Sequence, residues 1–400
     1  MASPTDHPLG VSSKNGMSRR KLIRTSSAAI VGTMFFAGRS AGNPLAEVIE
    51  TKVISWQPDL YHGWPTVAKR KGGELWVVWS GGREGHVCPF GQLCGMSSQD
   101  QGGSWGYPRV LLDGPLDDRD GGIVETSKGT LIATSFTSLA YVDILEKAQK
   151  GTAWDESRLS RWQAAHRRLG DGDRRAFLGH WLTRSTDGGK IWSERISVPV
   201  SSPHGPTVLR DGRLLYAGRE LFTAEGKIGV CESKDDGLSW EWIAELPVRK
   251  GDDPKEYHEL HMVQAADGSL VLQVRNHNKE NLHETLQTES DDGGKTWTPL
   301  HSIGVWGFPS HLLLLKDGRL LMTYGHRRTP LGNQARISND HGKTWSAPMV
   351  ISSDATSGDL GYPSTVELND GRLLTVWYEL TGLNKTQGKA VLRQTIWRIA

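Results

Sequence analysis

After residue 50 the chain runs as short apolar segments punctuated by glycine turns. The clearest turns are Asp211-Gly212, Asp267-Gly268, Asp317-Gly318 and Asp370-Gly371, with looser copies at Gly72-Gly73 and Lys128-Gly129. Short β-branched or leucine-rich runs bounded by such pairs predict strands, and Asp-Gly or Gly-Gly supplies the positive φ of a hairpin turn. Six turns therefore predict six hairpins. The stretch 140–175 departs from this pattern: it is rich in Leu, Ala, Lys, Arg and Glu without strand alternation, which predicts a helical insertion.

A second unit, Ser-x-Asp-x-Gly-x-x-Trp, recurs five times, from Ser98 to Trp105, Ser185 to Trp192, Ser233 to Trp240, Ser290 to Trp297 and Ser338 to Trp345. Its Asp can accept from backbone N–H groups of a turn, its Gly takes the positive φ and its Trp packs between neighbouring sheets. Composition agrees: 47 glycines and 16 tryptophans beside only 37% hydrophobic residues suit many short strands and tight turns, an all-β chain.

These units resemble the Asp boxes of the sialidase superfamily, and the resemblance covers nearly everything after residue 50. It implies a six-bladed β-propeller over residues 47–400, with the helical insertion in the second blade. A strand around Val53 to Trp56 is expected to complete the last blade beside Val391 to Ile399. Asp boxes also occur in propellers that are not glycosidases, so they speak for fold and not for activity.

The N-terminus reads differently. Ser18-Arg19-Arg20-Lys21 followed by an apolar run from Ala28 to Gly38 has the pattern of a twin-arginine export signal, expected to occupy residues 1–46 and to send the domain to the periplasm or outside the cell. That run is too short for an ordinary membrane span. Lys and Arg (47) nearly balance Asp and Glu (45), with no basic run beyond residue 24, which argues against nucleic acid as a partner. Three cysteines exclude a disulfide framework; Cys88 and Cys94 are near enough in sequence to pair, which would leave Cys231 over. No Cys/His spacing of a metal site is present, and no cofactor is expected.

In a propeller the residues before each hairpin converge on one funnel. Here they include His62, Arg119, Asp120, His204, Glu259 and Tyr362, and the return strands bring Arg83, Glu84, Arg275, Arg327, Arg328 and Glu379 to the same face. Glu259 stands eight positions before the Asp of its hairpin and Arg275 seven after the Gly. That is how sialidases place a catalytic Glu and a substrate-binding Arg. The resemblance implies Tyr362 as nucleophile, Glu259 as its base, Arg275 with Arg328 or Arg327 as a carboxylate clamp, and Glu379 as holder of a further clamp arginine. The first blade departs from the family pattern. His62-Gly63-Trp64-Pro65 replaces an arginine segment, and the loop from Gly81 to Gly91 lacks the acid/base aspartate. Glu84 or His86 is the expected proton donor there, and Arg83 or Arg119 the replacement charge. The expected function is hydrolysis of a glycosidic bond to a terminal sialic acid or related acidic sugar. A lyase or hydrolase for uronic-acid glycans and a non-catalytic carbohydrate-binding propeller are the alternatives.

Overall fold

The computed structural model describes residues 45–381 and 389–400, except 56 and 58; the expected export signal lies outside them apart from its last two positions. Twenty-four strands form six four-stranded antiparallel sheets, the blades of a propeller. The innermost strands, in blade order, are Tyr61–Lys69, Asp117–Glu125, Thr207–Val208, Tyr257–Gln264, Ser310–Leu314 and Leu360–Glu367.

The ring closes where Ala46–Val53 pairs with Lys389–Ile399, from Ala46 opposite Ile399 to Val53 opposite Arg393, with one register shift between Val48 and Glu50. The closing strand thus ends at Val53, where the sequence reading had it begin. Apart from Val53, the edge strand Ala46–Val53 lies upstream of the expected segment.

Hydrophobic burial is organised by blade interface. Six apolar clusters each join residues of two adjacent blades, so each sheet is covered only by its neighbours and the ring is needed to bury both faces. The Asp boxes serve this packing. In the last one, Asp340 Oδ1 accepts from Thr344 N at 2.9 Å and Ser338 Oγ accepts from Gly342 N at 2.8 Å. The box tryptophans then donate to the glycine carbonyl of their own box, as Trp297 does at 3.0 Å, or to a glutamine of the preceding blade, as Trp105 does to Gln394 at 2.7 Å. Gly189 adopts φ +86°, and a Cβ there would lie 2.2 Å from Trp76 of the previous blade, so both turn and blade contact require glycine.

Between the second and third strands of blade 2 the chain forms three helices, Tyr141–Lys150, Glu156–His166 and Asp171–Ala176. Tyr141, Leu145 and Trp162 pack on Cys88, which fastens the insertion to the first-blade loop. All three cysteines are free and buried, so Cys88 and Cys94 form no disulfide. Among the described residues no helix is long and apolar enough to cross a membrane.

One irregularity positions the site. The inner strands of blades 1, 2, 4 and 6 lose register part-way; in blades 1, 2 and 6 the irregular stretch holds Trp64, Asp120 and Tyr362 at φ of 56°, 52° and 52°. A bulge of this kind re-aims side chains, and backbone strain held at one point by surrounding structure is a frequent mark of function.

Candidate active site

Tyr362, Glu259 and Arg275 come from blade 6 and the inner and second strands of blade 4, and they meet. The Tyr362 hydroxyl donates to Glu259 Oε1. Arg275 Nη1 donates to both Glu259 oxygens at 3.0 Å and lies 3.2 Å from the Tyr362 hydroxyl. Burial opposes ionisation of Glu259, but Arg275, His258 and the Tyr362 hydroxyl outweigh it and hold the carboxyl at about 2. Burial, reinforced by the Glu259 charge, pushes Tyr362 well above 10, so the phenol is neutral and its proton points at a carboxylate. A neutral hydroxyl that donates to an ionised carboxylate can pass its proton to that carboxylate.

An aromatic wall stands on one side. Trp64 and Tyr378 lie 6.4 and 5.8 Å from the Tyr362 ring, centroid to centroid. The guanidinium of Arg119 sits 4.4 Å above the Trp64 ring and that of Arg83 5.0 Å from it. On the other side Phe308 lies between Arg275 and Arg327, at 4.4 and 5.1 Å. Arg327 also donates to the carbonyl of Leu360, two residues before the tyrosine. Arg328 stacks on Trp306 at 3.7 Å, so of the two neighbours Arg327 is the one tied to the Tyr362 segment.

Several residues singled out from sequence serve the frame instead. Glu84 accepts from Arg161 at 2.7 Å and from Trp162 at 2.9 Å; the helical insertion, whose docking the sequence did not disclose, occupies the carboxylate and removes it as a proton donor. Glu379 pairs with Arg393 at 2.8 Å, an arginine of the blade's third strand, and so holds no clamp residue. Arg83 is wholly buried and donates to Asp117 at 3.1 Å. His62 is wholly buried between the Gln57 carbonyl and the Trp79 indole, each at 2.8 Å, and its charged form is disfavoured by burial. His204 lies below the funnel with His261 and His311, ring centroids 4.5 to 5.3 Å apart, lining an axial cavity of about 460 Å³ that runs toward the Asp-Gly turns. That cavity is larger than the pocket of about 110 Å³ that Glu259 lines, but it includes neither Tyr362 nor Arg275. His86 does face the site: its Nδ1 is 2.8 Å from the Tyr61 hydroxyl and 3.2 Å from Asp359, which also accepts from Tyr378 at 2.8 Å.

Trp64, Phe308 and Asp359 were not among the residues picked from sequence. The first two carried a readable signal, because Trp64-Pro65-Thr66, Phe308-Pro309-Ser310 and Tyr362-Pro363-Ser364 repeat one aromatic-Pro-hydroxyl pattern. Asp359 carried none. Arg219 was visible on a return strand; it lines, with Asp120, Ser201, His258 and Glu259, a pocket of about 110 Å³ beside the tyrosine pair.

One group could offer three ligands to a metal. Glu256, His258 and His277 bring ligand atoms within 4.8 Å of one another. His277 Nε2 already accepts from Arg275 Nε at 2.7 Å, so binding through that nitrogen would break this bond beside a guanidinium charge, and the group does not fit a cation well.

The model of the BNR repeat-like domain matches residues 170–375. No curated protein matches the chain. Among solved structures, a protein of unknown function from Dyadobacter fermentans is 24% identical with a TM-score of 0.71, over 89% of this chain and 99% of that one. A Hadza microbial sialidase is 18% identical with a TM-score of 0.58, over 84% of this chain and 65% of that one. The NanB sialidase from Streptococcus pneumoniae is 14% identical with a TM-score of 0.61, over 90% and 71% respectively. At these identities the likeness is one of fold. With the family match extending over more than half of its residues, this six-bladed chain belongs to the BNR repeat-like family and shares its fold with the sialidases.

Proposed function

We propose that the protein is an exo-acting glycoside hydrolase that removes a terminal sialic acid or a related acidic sugar, with Tyr362 as nucleophile. The fold supports a glycosidase-like or carbohydrate-binding function, and the observation that carries the finer reading is the hydrogen-bonded set of Tyr362, Glu259 and Arg275. A sugar with a carboxylate on its anomeric carbon repels a carboxylate nucleophile, whereas a neutral phenol that loses its proton during attack avoids that penalty.

Arg275 gives the pair a further property. While it lies on Glu259 it keeps that carboxylate weakly basic. A substrate carboxylate drawn to the same guanidinium withdraws part of this charge, which raises the proton affinity of Glu259 as Tyr362 must lose its proton. Arg327, across Phe308 from Arg275, adds positive charge to that side of the funnel. The export signal expected at residues 1–46 would place such an enzyme where extracellular glycans are met.

The deciding experiment offers the protein sialyl, ketodeoxy-sugar and uronyl substrates, with Tyr362→Phe and Glu259→Gln in parallel. Release of the acidic sugar by the wild type and loss in both variants is the expected result. An unsaturated product absorbing in the ultraviolet would instead mark a lyase. Binding that persists in Tyr362→Phe, with no turnover by any form, would mark a carbohydrate-binding propeller.

A further inference from the structure

The hydrolytic reading leaves one role unfilled, the group that gives a proton to the departing oxygen. Neither residue of the first-blade loop suits it. Glu84 is held by Arg161 and Trp162, and His86, with about half of its side chain exposed, is bound to Tyr61 and Asp359. Asp120 differs from both. It occupies the bulge of the second blade with the same φ, 52°, that Tyr362 has in the sixth. Among the described residues its carboxyl has no hydrogen-bond partner, although it lines the pocket of about 110 Å³ that Glu259 also lines.

Two further polar groups of that pocket lack partners. Arg219 Nε and Ser201 Oγ are buried without a hydrogen bond, and Ser201 is only 6% exposed. Buried donors of this kind are rarely left unmatched unless water or a ligand supplies the acceptor. Beside the tyrosine pair there is thus a small chamber with an unengaged carboxyl and two unengaged donors, a setting for the oxygen atoms of a sugar.

We propose that Asp120 is the general acid and base of the reaction, giving its proton to the glycosidic oxygen, while Arg219 and Ser201 hydrogen-bond the leaving sugar. The inference rests on the hydrolytic reading above. In the first step the Tyr362 oxygen forms a bond to the anomeric carbon and the bond to the leaving oxygen breaks. The Tyr362 proton passes to Glu259 and the Asp120 proton to the leaving oxygen. In the second step water attacks the anomeric carbon and gives a proton to Asp120, and the Tyr362 oxygen departs with the proton held by Glu259. One water is consumed, and both carboxyls return to their starting states.

The electrostatics agree with this role. Burial, with the charges of Glu259 and Asp117 and against those of Arg119 and Arg83, raises Asp120 to about 7, where a carboxyl exchanges its proton near neutral pH. The other groups around it are Arg219 and His258 across the pocket and the neutral phenols of Tyr362 and Tyr216.

The test compares wild type and Asp120→Asn on two glycosides of one acidic sugar, a nitrophenyl glycoside whose leaving group needs no proton and a sugar-linked one whose leaving group does. The expected loss in kcat/KM is roughly a hundredfold or more on the sugar-linked substrate and under about tenfold on the nitrophenyl one. The limb of the pH profile near neutrality should vanish with it. Equal losses on both substrates, or none, overturn the assignment. A wild type inert on every glycoside sinks the hydrolytic reading and this one together. Activity that Tyr362→Phe abolishes while Asp120→Asn leaves it intact sinks only this one. Titration of the Asp120 carboxyl by carbon NMR gives a readout free of turnover, and an ordinary value near 4 would also overturn the proposal.

Discussion

The outer turns and the inner bulges are both repeated features of the ring, yet they have diverged to opposite degrees. Five Asp boxes hold the same Ser, Asp, Gly and Trp, and in each the Ser hydroxyl donates to the Asp carboxylate. The bulges of blades 1, 2 and 6 share a positive φ, but they carry Trp64, Asp120 and Tyr362. A turn whose side chain closes its own backbone admits few alternatives, because each part satisfies another. A bulge that points into an open funnel constrains only the backbone and leaves the side chain free to be chosen for chemistry. Stability should therefore follow the turns and the buried frame, and activity the bulges.

The largest expected effect separates the two. Tyr362→Phe should lower turnover by roughly a thousandfold or more with no change in the denaturant midpoint, since it removes the proposed nucleophile and keeps the ring. A comparable fall in stability would show that the bulge tyrosine also holds the fold. Next comes the frame: Arg83→Met leaves Asp117 charged and buried without its bidentate partner and should cost about 3–5 kcal/mol in urea unfolding. Arg83 also lies near Trp64, so some loss of activity would follow, but far less than the loss of stability implies for a clamp residue.

A single turn should matter less. Asp340→Ala removes the acceptor for Thr344 N and is expected to cost about 1–2 kcal/mol with kcat/KM unchanged. A change in kinetics there would mean that the rim and the funnel are coupled. The smallest effect is in pH. Glu259 titrates lower in the folded chain than its ordinary value, so its contribution to stability is present above about 4.5 and is lost as pH falls toward about 2. Asp120 titrates higher, so the folded chain binds the extra proton and stability declines as pH rises from about 4 to about 7. Asp120→Asn should remove only the second slope, which thermal melts across that range would reveal.

Much of the site was readable because it rides on the repeat. The spacing of Glu259 and Arg275 from Asp267-Gly268 is a distance along one hairpin, and antiparallel pairing converts that distance directly into proximity. The same reasoning placed Tyr362 at the opening of its inner strand. It failed at Glu84 and Glu379, where the partner comes from a helix of another blade's insertion or from a third strand. It passed over Arg219, which became prominent only when Ser201, Asp120 and Glu259 were seen to share its pocket.

The sequence by itself determined the ring: local turns closed by their own side chains set the number of blades, and tryptophans at fixed offsets set how the blades pack. Tertiary structure alone decided which charged groups are engaged. Arg83, Glu84 and Glu379 are paired and Asp120 is not, because pairing depends on elements distant in the chain, and a carboxyl's state depends on the burial and charges those elements bring to it. For the same reason the family likeness drew attention to the first-blade loop, while the folded chain leaves the unengaged carboxyl in the second blade.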